Sequence, residues 1–352
     1  MKVVVVSFRF NPGHFSFLAA NCRLVESLGL RAVMLVNERF REMDVQDAFE
    51  KKYSVREIPR SEHISAAVFW FPSVKNISAI LTTRWRFKAR TIYVYHEPLE
   101  SVSAYLRSGF GMLNVPKIVF VHAVNLVSSA LCDHIILPSR KAYDIYQRKY
   151  RWVNSKYSQI PLLFEDEALQ IRPSEQKKWV GYIGTIAVDH AFDRFLNFVE
   201  AAIEGNWLSN YSFVIASASK IPEEYDQRVF ALAKTGRLHV VCGRPLGTAE
   251  INSYYDGCMV VWNAYNRSTQ SGVMPKAYMF GSAVLSAKSS ATEFVDDLAT
   301  GRILSSNQDI LEIKSAIEEI LNRGSEYSKA CREKFLEVFF YKNSIERFRA
   351  IL

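Results

Sequence analysis

The sequence predicts an α/β protein built from two doubly wound parallel sheets, and three observations carry that expectation. Apolar runs of strand length alternate with longer helical stretches; the alternation pauses at a polar, acidic segment, LLFEDEALQIRPSEQKK (162–178); and 352 residues exceed one ordinary domain. Runs such as VVVV and AVMLV lack the alternation of a half-solvated strand, which suits parallel sheets covered on both faces. A content of 49% hydrophobic and 23% charged residues belongs to a folded chain, not a disordered one. Two such domains imply a cleft.

From Lys2 the order is strand (KVVVVSF), glycine turn (NPGH), helix (FLAANCRLVESLG) and strand (LRAVMLVN), a βαβ unit whose helix ends at Gly29. Further strands are expected at 66–71, 89–96 and 134–138. The apolar start runs into Arg9, Asn11, Pro12 and Gly13 without a long apolar core or a small-residue cleavage site, so it reads as a strand and not a signal peptide. After the pause the pattern restarts: strand WVGYIG, helix from about Asp193 to Ile203, strand SFVIASA, helix near Glu224 to Lys234, strand LHVVCG. A helix near Ala249 to Tyr255, strand CMVVWNA, a helix from Pro275 to Phe280 stopped by Gly281, and strand SAVLSAK follow. The helical stretch LEIKSAIEEILNRG precedes a final helix near Tyr341 to Ile351.

The longest apolar stretch, Ile118 to Cys132, is broken by His122 and Asn125 and falls short of the roughly 18 residues a spanning helix needs, so a buried helix is expected. Five scattered cysteines (Cys22, Cys132, Cys242, Cys258, Cys331) form no CxxC pair and read as reduced, buried thiols of a cytoplasmic protein. Residues 84–156 hold twelve Lys/Arg against four Asp/Glu, a surplus equal to the whole chain's net charge of +8. A basic face of this kind attracts anionic lipid or nucleic acid. In RKAYDIYQRKYRW (140–152) helical spacing lines up Tyr143, Tyr146 and Tyr150 among cations. Two readings stay open: an aromatic, cationic membrane contact at the inner membrane face, or a solvated helix whose tyrosines pack on the domain. No nucleic-acid module is recognisable, so nucleic acid is not expected.

Ligands of such sheets gather at the carboxyl ends of strands. The rule points to Asn11, Pro12, Gly13 and His14, to His96 and Glu97, and to Pro138 and Ser139. In the second half, Gly181 and Gly184 sit where a strand enters a turn. In NRSTQSGVMPKAYMFGSAVLSAK (266–288) a polar loop ends in Ser271, Gly272 and Val273 just before a helix. Unpaired amides at such a helix start suit a diphosphate.

This order of motifs resembles the two-domain GT-B glycosyltransferases, and among them the family-4-like retaining enzymes of surface-glycan synthesis. NPGH resembles the glycine loop after strand one, YHEP (95–98) the strand delivering a histidine to the cleft, and LCDHIILPSR (131–140) the family's segment of an aspartate, an apolar strand and a closing Pro-Ser. VGYIGTIAVDHAFDRFLNFVEAA (180–202) resembles the opening of the donor domain, VVCGRPLGTAEINSYYDGCMVVWNA (240–264) the nucleobase segment, and SGVMPKAYMFGSAVLSAKSSATEFVDD (271–297) the diphosphate and ribose segment. The resemblance implies two Rossmann-like domains facing a central cleft: 1–165 for the acceptor, 166–337 for a nucleotide-sugar donor, with residues 338–352 returning as a helix to the first. It implies donor binding by Gly184, Thr185, His190, Gly243, Arg244, Pro245, Arg267, Ser271, Gly272, Val273 and Glu293, and acceptor binding by Asn11, Gly13, His14 and Ser139. Lys276 is expected to stabilise the departing diphosphate, and His96 or Glu97 to take the acceptor's proton.

The family's usual charges are replaced at four positions. Thr185 and His190 stand where an arginine and a lysine are usual, and Ser268 and Lys276 where two glutamates are; Arg267, Lys276, Arg244 and His190 are the substitutes at hand. No DxD pair lies in a loop suited to a divalent metal, Asp296 and Asp297 resembling a helix start, so neither metal nor cofactor is expected beyond the donor itself. The leading expectation is a hexosyltransferase acting on a glycan or lipid-linked acceptor in bacterial polysaccharide synthesis. The alternatives are a catalytically silent homologue that binds nucleotide or glycan as a partner subunit, and, more remotely, a nucleotide-sugar epimerase.

Overall fold

The computed structural model describes residues 1–41, 49–290 and 292–352; Ala291, inside the segment 271–297, lies outside the described residues. Backbone contacts divide the chain into two compact units. The first is Met1–Ala104, Gly111–Glu165 and Val338–Leu352; the second is Tyr105–Phe110 and Asp166–Glu337.

The first unit contains β1 (Lys2–Ser7), α1 (Phe15–Ser27), β2 (Arg31–Val36), β3 (Glu50–Lys52), β4 (Ile64–Trp70), α2 (Val74–Phe87) and β5 (Arg90–Val94). After α3 (Val102–Arg107), which runs into the second unit, come α4 (Val115–Leu131), β6 (His134–Leu137), α5 (Arg140–Lys149) and β7 (Tyr157–Gln159). All pairs in its seven-stranded sheet are parallel, in the order β3-β2-β1-β4-β5-β6-β7. The valines of β1 are buried along its length, as central parallel strands require, and the core gathers Val4, Val6, Phe69, Tyr93, Tyr95 and Leu137. The C-terminal segment belongs to this unit. Phe164 N donates to Phe339 O at 2.9 Å and Tyr341 N donates back to Phe164 O at 3.1 Å. The expected final helix is a 3₁₀ turn, Tyr341–Ser344, followed by the short α12 (Ile345–Arg349).

Two expectations for this unit are corrected. The apolar stretch 118–132 is not a buried helix: α4 buries only Val124, Asn125, Ser128 and Ser129, while Val119, Phe120 and Val127 are exposed. With the 3₁₀ turn before it, the helix runs Met112–Leu131, long and apolar enough by length and composition to cross a bilayer. The tyrosines of α5 take the inward reading. Tyr146 is fully buried, and Tyr143 and Tyr150 pack against the core, because the tyrosine side of α5 is the side that covers the sheet.

The second unit contains β8 (Trp179–Ile183), α6 (Phe192–Glu204), β9 (Ser212–Ser217), α7 (Glu223–Lys234), β10 (Leu238–Cys242), α8 (Thr248–Gly257) and β11 (Cys258–Asn263). It continues through α9 (Val273–Met279), β12 (Ala283–Ala287), β13 (Gly301–Leu304), α10 (Ile310–Asn322) and α11 (Gly324–Lys334). Its six parallel strands run in the order β10-β9-β8-β11-β12-β13. α9 begins at Val273, two residues before Pro275. Asp296 and Asp297 do not start a helix. They form a turn before β13, in which Asp296 O accepts from Thr300 N at 2.8 Å and the Asp297 carboxylate accepts from Ile303 N at 2.9 Å. The cysteines are free thiols, four of them buried and Cys242 partly so.

Lys177 has no exposed surface. Its ammonium donates to Asp256 O at 3.0 Å, Phe280 O at 2.7 Å and Ser282 Oγ at 3.4 Å, so one cation serves the carboxyl ends of both α8 and α9. Burial pulls its pKa down to about 8 against the pull of Asp256.

Gly301 leaves almost no room for a side chain where β13 meets β12. A Cβ on Gly301 would lie 2.2 Å from Val284 O, so Gly301→Ala has to push paired strands apart; at Gly247 a Cβ meets nothing within 4 Å. Gly301→Ala is expected to lower stability by about 2 kcal/mol or more and Gly247→Ala to stay within about 0.5 kcal/mol of the parent. Urea unfolding midpoints measure both, and equal midpoints would refute the packing account.

Candidate functional site

In the second sheet the strand order reverses between β8 and β11, the place where doubly wound sheets bind ligands beyond their strand ends. The structure brings the loops after these two strands together. Asn266 N donates to Asp189 O at 2.8 Å, and the Arg267 Nη1 lies 3.8 Å from the Asp189 carboxylate. The His190 ring stacks on Tyr265 with centroids 4.2 Å apart and planes 10° from parallel, while its Nδ1–H donates to Thr185 O at 2.8 Å. Gly184 has φ +120°, and a Cβ there would sit 3.2 Å from a Val273 methyl at the start of α9. Two glycine-bearing segments almost ninety residues apart in sequence are thus in direct contact, because only glycine adopts this backbone so close to a neighbour. Ser271 Oγ accepts from Val273 N at 3.2 Å and closes the turn into α9.

The loop after β9 ties in the third segment. Ser219 Oγ accepts from Ile186 N at 3.2 Å and Ser219 O from Gly243 N at 3.0 Å, which places Gly243 and the exposed Arg244 and Pro245 beside the Gly184–Thr185 turn. The Arg244 guanidinium is paired with Glu250 of α8, and Glu293 lies exposed in the turn after β12.

Two expected cations are placed differently from the sequence expectation. Lys276 is not presented at the start of α9. It is buried, its ammonium pairs with Glu167 and donates to Asn252 Oδ1 at 3.0 Å, and burial holds its pKa below the ordinary value against the pull of Glu167. Arg267 is likewise buried, 3.9 Å from the centroid of the Tyr105 ring, and donates to the Tyr105 hydroxyl at 2.8 Å. Glu167 and Tyr105 escape a reading by sequence because each meets its partner more than a hundred residues away.

In the first sheet the order reverses between β1 and β4. Asn11 Oδ1 accepts from Gly13 N at 3.0 Å and Asn11 O from His14 N at 2.9 Å, a tight turn that delivers His14. The His14 ring stacks on Phe71 at 3.7 Å, and Phe71 on His96 at 4.8 Å, so the ends of three segments meet in a His–Phe–His stack. Phe71 has φ +60°, a left-handed conformation that costs a non-glycine residue about 1 kcal/mol or more; Asn76, fully buried, donates Nδ2 to its carbonyl at 2.6 Å. No sequence signal marks Phe71. Glu97 is exposed beside the stack. Ser139, buried at the start of α5, serves as its N-cap, accepting from Ala142 N at 2.9 Å.

Both imidazoles are neutral near pH 7. Burial first, then the charges of His96 and Arg9, takes His14 down to about 2; burial and Arg9 take His96 to about 3. Among the described residues no three His, Cys, Asp or Glu side chains converge as metal ligands.

The architecture is that of the GT-B glycosyltransferases: two Rossmann-like α/β units in one chain, the C-terminal segment rejoining the first. Sucrose-phosphate synthase from Thermosynechococcus elongatus superposes with a TM-score of 0.74 at 13% identity, covering 99% of this chain and 98% of that one. Anabaena HepE in complex with UDP-glucose gives 0.69 at 12% identity over 100% of both chains. WaaG, a glycosyltransferase involved in lipopolysaccharide biosynthesis, gives 0.67 at 12% identity over 99% of this chain and 98% of that one. At such identities the likeness is one of fold. No family model matches the sequence, and no curated protein does.

The histidine stack has a pH signature. In the unfolded chain each imidazole titrates near its ordinary 6.5, in the folded chain far below it, so below 6.5 the unfolded state binds the extra protons and stability falls as pH falls. Between pH 7 and pH 5 each histidine removes about 2 kcal/mol. His14→Phe keeps the stacked ring, and because His14 Nδ1 has no hydrogen-bond partner among the described residues it sacrifices no bond there. Stability near the parent's at pH 7, and a drop to pH 5 smaller by about 2 kcal/mol, are expected from denaturant melts at the two pH values. An unchanged drop would show that His14 is not held neutral.

Proposed function

We propose that the chain is a glycosyltransferase that takes a hexose from a nucleotide-sugar donor bound by the second unit and passes it to a hydroxyl of a glycan or lipid-linked acceptor, in polysaccharide assembly of the kind in which WaaG acts. The observation that carries the reading is the meeting of the Gly184 turn, the Gly243–Pro245 loop and the start of α9 at the switch point of the second sheet, in a chain with this fold throughout. HepE, of the same fold, has been seen with UDP and with UDP-glucose, which makes a UDP-hexose the first donor to try.

In this reading the nucleobase lies along Gly243, Arg244 and Pro245, and the diphosphate lies against the Gly184–Thr185 turn and Ser271–Val273, where a tight glycine turn and small residues let backbone amides approach an anion. His190, held by Tyr265 and by the bond from its Nδ1–H to Thr185 O, is the side chain that, as the imidazolium, would donate its Nε2–H to the departing phosphate oxygen. Lys276 and Arg267 act as positioning residues: the first orders Glu167 and Asn252, the second fixes the loop before α9. The sugar's bond to phosphate breaks, a bond to the acceptor oxygen forms, and the acceptor's proton goes to Glu97, since a histidine with a pKa of about 3 is too weak a base. By resemblance the configuration at the anomeric carbon is retained. This reading calls for no metal; the Asp296–Asp297 pair is engaged, Asp297 by Arg302 and Asp296 by Lys334.

The silent-homologue reading keeps a specific observation in its favour: two of the expected phosphate-binding cations are tied up by Glu167 and Tyr105. One experiment separates the readings. In a thermal-shift panel of UDP, GDP, ADP, CMP and their sugar conjugates, one nucleotide near 100 times its Kd is expected to raise the Tm by about 5 °C or more, and Gly184→Ala to abolish the response. Slow release of that nucleotide from its sugar conjugate marks the enzyme, binding without release the silent homologue, and no shift with any nucleotide overturns the donor site.

A further inference from the structure

We infer that α4 is an in-plane membrane helix: its exposed apolar side lies in the surface of an anionic bilayer while its polar side stays fastened to the first sheet. The inference does not depend on the donor site.

Leu113 is 96% exposed, Met112 69%, Phe120 59% and Val119 48%, a run of large apolar side chains that a water-soluble surface does not ordinarily present together. From Ser101 to Cys132 there is no Asp or Glu, and Lys117 lies exposed within the run. The surroundings repeat the pattern. The end of α5 comes up against the middle of α4, with the Tyr150 ring 4.9 Å from His122. Arg148, Lys149 and Arg151 are exposed there, as is Trp152 at 77%. At the other end Arg84 donates to Leu131 O, with Trp85 beside it, also 77% exposed. The acidic groups nearby are already matched: Asp133 by Arg84, Asp144 by Arg140, Glu100 by Lys141. An apolar strip with a rim of tryptophan and exposed cations fits the interface of an anionic membrane, where rings sit at headgroup depth and cations meet lipid phosphates. A second copy of this chain would bring like charges together.

The helix lies in the surface and does not cross it, because its other side is committed. Asn125 accepts from the Tyr93 hydroxyl, His122 Nδ1 bonds Tyr95 Oη at 3.0 Å, and Asn154 Nδ2 donates to Ser129 O at 3.2 Å. Insertion across a bilayer would break all three.

Vesicle co-sedimentation tests this with the full chain and two kinds of vesicle, phosphatidylcholine alone and phosphatidylcholine with about 30% phosphatidylglycerol. The parent is expected to pellet with the anionic vesicles and stay in solution with the neutral ones. The double variant Leu113→Glu/Phe120→Glu, at exposed positions and checked by circular dichroism, should lose about tenfold or more in partitioning, and Lys149→Glu/Arg151→Glu a comparable amount. The inference is overturned if the parent ignores anionic vesicles or if the apolar variant binds as the parent does, which would leave charge alone. It is also overturned if light scattering shows a parent dimer that the apolar variant dissolves, which would give the strip to a second copy.

Discussion

One buried ammonium group sets the geometry on which the second unit's site depends. Lys177 holds three oxygen acceptors with its three donors, at the ends of two helices whose carbonyls would otherwise be buried without partners. α9 is only two turns long, so anchoring its carboxyl end fixes where its amino end emerges, against the Gly184 turn. Ser282 shares the junction, donating to Tyr255 O and Cys258 O, and so joins the exits of α8 and α9 to the entries of β11 and β12. The machinery at one edge of the sheet is positioned from the opposite edge.

The two units handle charge in contrasting ways. At the first sheet's switch point the titratable rings are kept uncharged by burial, and the neighbouring Glu97 is exposed. In the second unit the charges beside the loops are present but answered from within: Lys276 by Glu167, Arg267 by Asp189 and Tyr105, Arg244 by Glu250. In the proposed reading, recognition of a diphosphate there would fall to backbone amides and to His190, a less salt-sensitive arrangement than a cluster of open cations.

Much of the fold is legible in the sequence because continuous apolar strands and glycine stops are local signals. The two edge strands, EKK and YSQ, carry no such signal, since three polar residues become a strand only when a neighbour supplies the ladder. α4 shows the limit of composition: apolarity does not say whether a helix is covered, and the sequence of 118–132 reads the same buried or bare. Ser139 is a different case, for a serine just before a helical stretch is an N-cap signal, here obscured by its place at a strand end. The site's loops are readable as glycine turns, but their partners are not. Phe71's backbone angle, the Ser219 bridge and the Glu167–Lys276 pair arise from contacts that no spacing encodes.

The return of residues 338–352 to the first unit has a bearing on how the chain is made. The first sheet is complete in sequence by Gln159, yet Phe164 finds its backbone partners only in Phe339 and Tyr341, and Phe348 is buried in the same unit. A ribosome releases the second unit's long segment before those partners exist. The unit that begins first therefore finishes last, and at about 5–20 residues per second it waits on the order of ten seconds or more with that flank of its core open. During that interval the surface that residues 338–352 later cover stays open, and a truncation that removes them would injure the half of the protein farthest from them in sequence.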